Sequence, residues 1–175
     1  MLKISAIVIA LLIGTVLIMA TLQRDQLEIE RAIKIKGSPS TVFRLINDLK
    51  QWEAWSPWAK IDPEMTQSYS GAQSGVGAKY EWSGNSDVGS GRMEITDMSP
   101  PSSVELKLEF LKPMKAQNTV VFSLEEEDGY TNTTWSMRGP MPFTSKLFSL
   151  CVDMDTMVGG NLESGLKNLK MLAEQ

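Results

Sequence analysis

FTSKLFSLCVDMDTMVGGNLESGLKNLKMLA, at positions 143–173, carries apolar residues at spacings of three and four: Leu147, Leu150, Cys151, Met154, Met157, Val158, Leu162, Leu166, Leu169 and Leu172. Lys146, Asp153, Asp155, Glu163, Lys167 and Lys170 fall mostly between them. That is the period of a single apolar helical face. A helix of roughly 28 residues at 1.5 Å rise runs about 40 Å, long for a small domain. Its apolar face needs a large partner surface, and the preceding hundred or so residues read as strands that supply one. Gly159-Gly160 near its centre costs up to about 1 kcal/mol per glycine relative to alanine, so a close approach of the sheet or a bend has to offset it.

Working back from this helix, the strands show period-two alternation. Leu27 to Lys36 places Ile29, Ile33 and Ile35 on one face and Glu30, Lys34 and Lys36 on the other, with Arg31 on the apolar parity. Ser38-Pro39 opens a short helix, serine as N-cap and proline at the first position; Val42, Leu45, Ile46 and Leu49 give it one apolar side. Met65 to Ser70 can pair with Ala78 to Ser83, where Tyr80 and Trp82 share a face. Arg92 to Met98, Val104 to Phe110, Ala116 to Leu124 and Thr131 to Arg138 continue the series. Asn85 to Gly91 is a turn signal; it lacks the Gly-Lys-Ser/Thr ending of a phosphate loop. The acidic run Glu125 to Asp128 with Gly129 reads as a solvated hairpin tip rather than a cation site. Short turns between such strands argue for an antiparallel sheet.

Composition removes several kinds of chemistry. The 175 residues suit one domain. The net charge of −4, with no basic block, disfavours nucleic acid. The chain has no histidine, so Ser-His-Asp and Cys-His catalysis and histidine metal sites are excluded. Cys151 is the single cysteine and falls on the apolar helical face, where a small buried hydrophobe is expected. No metal, no cofactor and no catalytic acid–base pair emerge; Asp153 and Asp155 are two apart and cannot share a helical face.

Ile4 to Leu22 is nineteen residues without a charge, preceded by Lys3 and closed by Arg24 and Asp25. A helix crossing the hydrocarbon core needs roughly 20 apolar residues. The run exceeds the usual apolar region of a cleaved signal, and Ile18-Met19-Ala20 is a poor cleavage site. The expectation is an uncleaved N-terminal transmembrane helix over residues 1–24, with residues 25–175 as a single domain; a cleaved signal and a buried helix are the alternatives. The charge balance around the run favours a single-pass membrane protein with that domain on the non-cytoplasmic side.

Gln51-Trp52-Glu53-Ala54-Trp55-Ser56-Pro57-Trp58 places three tryptophans within seven residues. One helical turn stacks Trp52 and Trp55, and Pro57 ends it. Each tryptophan can bury on the order of 150–250 Å², so they form a plug at one end of the core, an aromatic wall of a ligand cavity, or both.

Taken in order, the strand and Ser-Pro helix, W-x-x-W-S-P-W, Asp62-Pro63, the G-x-G before Tyr80-Glu81-Trp82, Gly91-Arg92-Met93, and the closing G-x-L-x-x-L-K of Gly165 to Lys170 resemble the polyketide cyclase/dehydrase and lipid-transport family. That family belongs to the START-like, Bet v 1-like (SRPBCC) superfamily. The resemblance covers roughly Leu27 to Leu172. It implies an α+β helix-grip fold, a curved antiparallel sheet wrapped around a long C-terminal helix with a cavity for apolar ligands between them. It implies no shared catalytic residues.

The expected function is therefore binding of an apolar small molecule or lipid by a membrane-tethered domain, without catalysis. Trp55, Trp58, Tyr80, Trp82, Phe110, Trp135, Met154 and Val158 are the candidate cavity residues, and Arg31 is a possible polar contact to the ligand. A cyclase/dehydratase-type enzyme and a protein-interaction domain with a filled core are the alternatives. The methionines would let such a cavity adapt to varied shapes.

Overall fold

The alternation over Leu27 to Lys36 is realised as the strand β1 (Gln26–Lys36), with Ile29 and Ile35 buried and Glu28, Glu30, Lys34 and Lys36 in solvent. The computed structural model describes residues 2–175. After β1 come α2 (Pro39–Asn47), a 3₁₀ turn (Leu49–Gln51), α3 (Trp52–Trp55) and α4 (Trp58–Ile61), preceded in the chain by α1 (Leu2–Thr21). Six strands follow: β2 (Thr66–Gly71), β3 (Ala78–Ser83), β4 (Ser90–Ser99), β5 (Ser103–Lys112), β6 (Ala116–Glu127) and β7 (Tyr130–Pro140). All pair antiparallel in one seven-stranded sheet of order β1-β7-β6-β5-β4-β3-β2. Asp128 (φ 53°) and Gly129 (φ 79°) form the two-residue tip between β6 and β7, the left-handed pair that such a hairpin requires.

The final helix is two helices, α5 (Phe143–Ser149) and α6 (Met154–Ala173), which corrects the single 143–173 helix. Asp153 supplies the reason. Its carboxylate accepts the backbone N–H groups of Asp155 and Thr156, capping a new helix start. Apolar spacing runs across this interruption, so periodicity alone does not reveal it. Cys151 sits in the interruption and is exposed rather than buried.

The α6 helix packs along β1 and on α2 and α3. Two of its glycines face the sheet side. A side chain on Gly159 would overlap the Arg31 guanidinium, and a Cβ on Gly165 would lie 2.7 Å from the Trp135 ring and 3.2 Å from Pro57. Gly160 has nothing within 4 Å. The close approach expected of the glycine pair therefore involves Gly159 alone, and Gly165 extends it. Lys170 Nζ donates to Lys34 O at 2.7 Å, and Glu174 Oε1 accepts Lys36 N–H at 2.7 Å, which fastens the far end of the helix to β1.

The expected transmembrane helix is overturned. Residues 2–21 do form the α1 helix, but among the described residues no helix is long and apolar enough to cross a membrane. Met1, the first residue of the expected anchor, lies outside the described residues. The helix ends at Thr21, before Leu22, and its last turn is committed to protein: Ala20 is fully buried and α1 packs on α5. Lys146 of α5, itself buried, pairs with Asp25 just beyond α1. A single-pass arrangement with the domain on the non-cytoplasmic side is accordingly not supported, and the α+β sheet with its C-terminal helix stands without it.

Candidate functional site

The inner face of the sheet is covered unevenly. In the cross-strand row Ile29–Met137–Val120–Leu106–Ile95 every side chain is buried. The α2 helix covers β5 and β6 here, while α6 covers β1. One row further on, Asn118, Leu108, Met93, Tyr80 and Tyr69 follow one another from β6 to β2. Of these only Asn118 is buried; Leu108, Met93 and Tyr80 are half-buried and Tyr69 is exposed. Phe110 and Trp82, both half-buried, flank Gly91 in the next row. The inner surface thus emerges from beneath the helices over β3, β4 and β5 as a half-buried apolar surface, the side on which a helix-grip fold is expected to form its concavity.

The predicted aromatic residues separate into two groups. Trp55, Trp58 and Trp135 gather with Trp52 and Phe122. Trp52 and Trp55 centroids are 4.7 Å apart, Phe122 and Trp135 4.8 Å, Trp55 and Trp135 5.5 Å, and Trp58 and Trp135 6.0 Å. Most contacts are edge-to-face or tilted, the arrangements that ring quadrupoles favour. Trp52 and Trp55 donate their indole N–H groups to Ile46 O and Leu45 O at 2.8 and 3.1 Å. Trp135 Nε1 is buried without a partner. This group fills the space beneath α3 and α6.

Tyr80, Trp82 and Phe110 form the second group, joined by Tyr69, in the open concavity. Tyr80 and Trp82 stack at 5.8 Å and 17°, Tyr69 lies 5.2 Å from Tyr80, and Phe110 meets the Trp82 edge at 5.9 Å. The Trp82 ring lies over Gly91, where any side chain would collide with it, and its indole N–H donates to Val88 O at 3.1 Å. Met154 and Val158 pack half-buried against the core from α6. Tyr69, Met93, Leu108 and Asn118 are not among the candidate cavity residues named from sequence. Their register across β2, β3, β4, β5 and β6 brings them together, and register is not written in any single strand.

Arg31 does not reach the concavity as a free cation. Its guanidinium donates to both carboxylate oxygens of Asp155, at 3.1 and 2.8 Å, and to Glu30 O at 2.8 Å. The Asp155 hydrogen bond raises the Arg31 pKa further above its ordinary value. The other ionic pairs of the sheet lie on its outer face, where Lys79–Glu94, Arg92–Glu109 and Lys107–Glu109 alternate in sign around an open depression of about 220 Å³. Lys107 and then Arg92 hold the Glu109 carboxyl below the usual range. A second depression of about 350 Å³, lined by Thr66, Ser68, Glu81, Trp82 and Leu111 among others, lies at the β2–β4 side of the sheet. These outer-face charges answer one another. Among the described residues no group of three or more acidic, cysteine or histidine side chains could hold a metal ion.

Burial, aided by Tyr69 and Glu53, pushes the Tyr80 phenol up to about 12. Because the folded value exceeds the ordinary phenol value of about 10, the folded state keeps this proton while the unfolded chain releases it. Tyr80 thus leaves stability unaffected below about pH 10 and diminishes it as pH rises toward 12. Ultraviolet titration is expected to show a late Tyr80 component at about 12, with Tyr69 also raised by burial. Tyr80→Phe should remove that late component; its persistence in the variant would contradict the assignment.

An antiparallel sheet gripping a C-terminal helix, with a half-open apolar surface beside it, is the helix-grip arrangement. The chain belongs to the polyketide cyclase/dehydrase and lipid transport family, whose model matches residues 26–174. Among solved structures it is similar to protein CV1439 from Chromobacterium violaceum, at 13% identity and TM-score 0.59, with 86% of this chain and 98% of that one covered. The Aha1 dimer from Colwellia psychrerythraea is similar at 20% identity and TM-score 0.55 over 85% of this chain and 96% of that one. Ginseng major latex-like protein 151 from Panax ginseng is similar at 13% identity and TM-score 0.59, over 87% of this chain and all of that one (100%). At these identities the likeness is one of fold. No curated protein matches the chain.

Proposed function

We propose that this domain binds an apolar small molecule or lipid in the concavity over β3, β4 and β5, and does so without catalysis. The observation that carries this reading is the contrast between adjacent rows of one sheet face. Ile29 through Ile95 are sealed, whereas Leu108, Met93, Tyr80, Phe110 and Trp82 remain half-open together. An apolar surface with few polar groups is the usual character of a small-molecule site, and contiguous exposed apolar area needs an occupant. Family membership supports the same class of ligand.

The ring cluster of Trp52, Trp55, Trp135 and Phe122 favours a second reading, a protein-interaction domain whose interior is filled by its own side chains. Organic extraction of the purified full-length chain, followed by mass spectrometry, separates the two. The binding reading expects a recurrent apolar compound in near-stoichiometric amount, or displaceable binding of the apolar fluorophore N-phenyl-1-naphthylamine when the protein is purified empty. An empty extract together with no fluorophore binding would leave only the filled-core reading.

A further inference from the structure

We infer that the Asn118 side-chain amide is the polar anchor of this concavity and takes a neutral carbonyl or hydroxyl group on an otherwise apolar ligand. The inference rests on the reading that the open end of the sheet holds such a ligand. Asn118 is 6% exposed and lies on the inner face of β6, on the same parity as Val120, Phe122 and Leu124. Leu108 is its cross-strand partner on β5. On the other side is Gly139 of β7, where any Cβ would overlap Asn118 Oδ1. The glycine leaves the amide its place.

An asparagine amide offers two N–H donors and an acceptor oxygen. Among the described residues none hydrogen-bonds the Asn118 side chain. Its polar atoms are not among the fully buried side-chain atoms left without a partner, which are Thr133 Oγ1 and Trp135 Nε1, so the amide keeps a small opening on an otherwise buried side chain. An amide that is nearly enclosed yet still open, held between Leu108 and a glycine, can be reached by a group arriving from outside.

The surroundings select the chemistry of that group. The row running from Asn118 through Leu108 and Met93 to Tyr80 contains no ionised side chain. Arg31, the charged residue of the inner parity, is engaged by Asp155. A carboxylate placed here would lose hydration without gaining a cation. A ketone, ester, amide or alcohol oxygen would lose far less and could use either end of the amide. At about 4.8 Å per strand, Asn118 and Tyr80 are roughly 14 Å apart along the row. A ligand anchored at Asn118 can lay an apolar body across Leu108 and Met93 toward the tyrosine.

The test uses the full-length protein, wild type and as Asn118→Leu and Asn118→Ala, with N-phenyl-1-naphthylamine as the reporter. It is displaced by three competitors of equal chain length: a 2-alkanone, the n-alkane and the fatty carboxylate. For one hydrogen bond to a buried amide, the wild type should prefer the ketone to the alkane by about five- to tenfold. The carboxylate should be the weaker of the two oxygen-bearing competitors. In Asn118→Leu the ketone–alkane gap should shrink to within about twofold while the reporter still binds. A gap that survives in both variants, or one absent from the wild type while the reporter binds, overturns the anchor and leaves the apolar site intact. Failure of the wild type to bind the reporter or any competitor removes the site and the anchor together. Loss of native circular dichroism in both variants would assign Asn118 to the fold and likewise overturn the proposal.

Discussion

Trp55→Ala is expected to lower folding stability by about 3–5 kcal/mol, the usual loss when a large buried aromatic side chain is truncated. Trp55 has no exposed surface. It touches Trp52, Trp135 and Phe122 at centroid distances of 4.7, 5.5 and 6.1 Å, and donates its N–H to Leu45 O. Alanine removes the ring from all three neighbours and leaves the Leu45 carbonyl without this donor. Because α3 is a single turn wedged between α6 and the sheet, it has little means of closing the void. Against a typical total of about 5–15 kcal/mol, this is a large fraction, and urea denaturation would measure it directly. A loss below about 1 kcal/mol would show that the cluster repacks and is not a fixed plug.

Gly165→Val is the second large effect, by the opposite mechanism. Its Cβ would start 2.7 Å from the Trp135 ring and 3.2 Å from Pro57. Neither can retreat easily, the ring because Phe122 and Trp55 hold it, the proline because it ends α3. The α6 helix must lift from the sheet, at a cost of about 1–3 kcal/mol or more for overpacking. Gly160→Ala is the matched control. With nothing within 4 Å of its Cβ, it should gain up to about 1 kcal/mol from helix propensity alone. Opposite signs for these two glycines would support the packing described; equal losses would contradict it. Thermal unfolding of the two variants beside wild type is sufficient.

Those glycines also show how far the amino-acid sequence can be read. Gly159-Gly160 announces that something unusual happens in α6. Only the fold tells that Gly159 admits the Arg31 guanidinium while Gly160 faces empty space. Strands whose alternation is strong, such as Val104 to Phe110, appear within β5 as expected, because burial of one face dictates the period. The interruption between α5 and α6 escapes the same analysis. Leu150, Cys151 and Met154 keep helical spacing, and the cap at Asp153 carries less weight than ten apolar residues in phase. The apolar run Ile4 to Leu22 predicts a membrane span, and among the described residues no helix meets the requirement for one.

The site divides in the same manner. Tyr80, Trp82 and Phe110 are visible as aromatic residues of inward parity, and they do meet in the concavity. Trp135 shares that signature on β7, while Trp55 and Trp58 come from α3 and α4, and all three meet in the packed cluster instead. Parity distinguishes inner from outer, but it does not tell which rows the helices cover. Asn118 is the residue least accessible to such reasoning. Its meaning depends on Gly139 across the strand boundary and on the absence of a partner, neither of which leaves a mark in local sequence.

The pairing of the first strand with the last one carries a consequence for biosynthesis. Gln26 lies opposite Pro140 and Lys36 opposite Tyr130, so about a hundred residues intervene between partners, a separation that slows folding. On the ribosome β1 emerges early and must wait, unpaired, until β7 has been translated. The meander from β2 to β7 can assemble beforehand, but Ile29 and Ile35 stay in water until the loop closes. A nascent chain stalled before residue 130 therefore displays an unsatisfied strand edge, and that interval is when this protein is most in need of a chaperone.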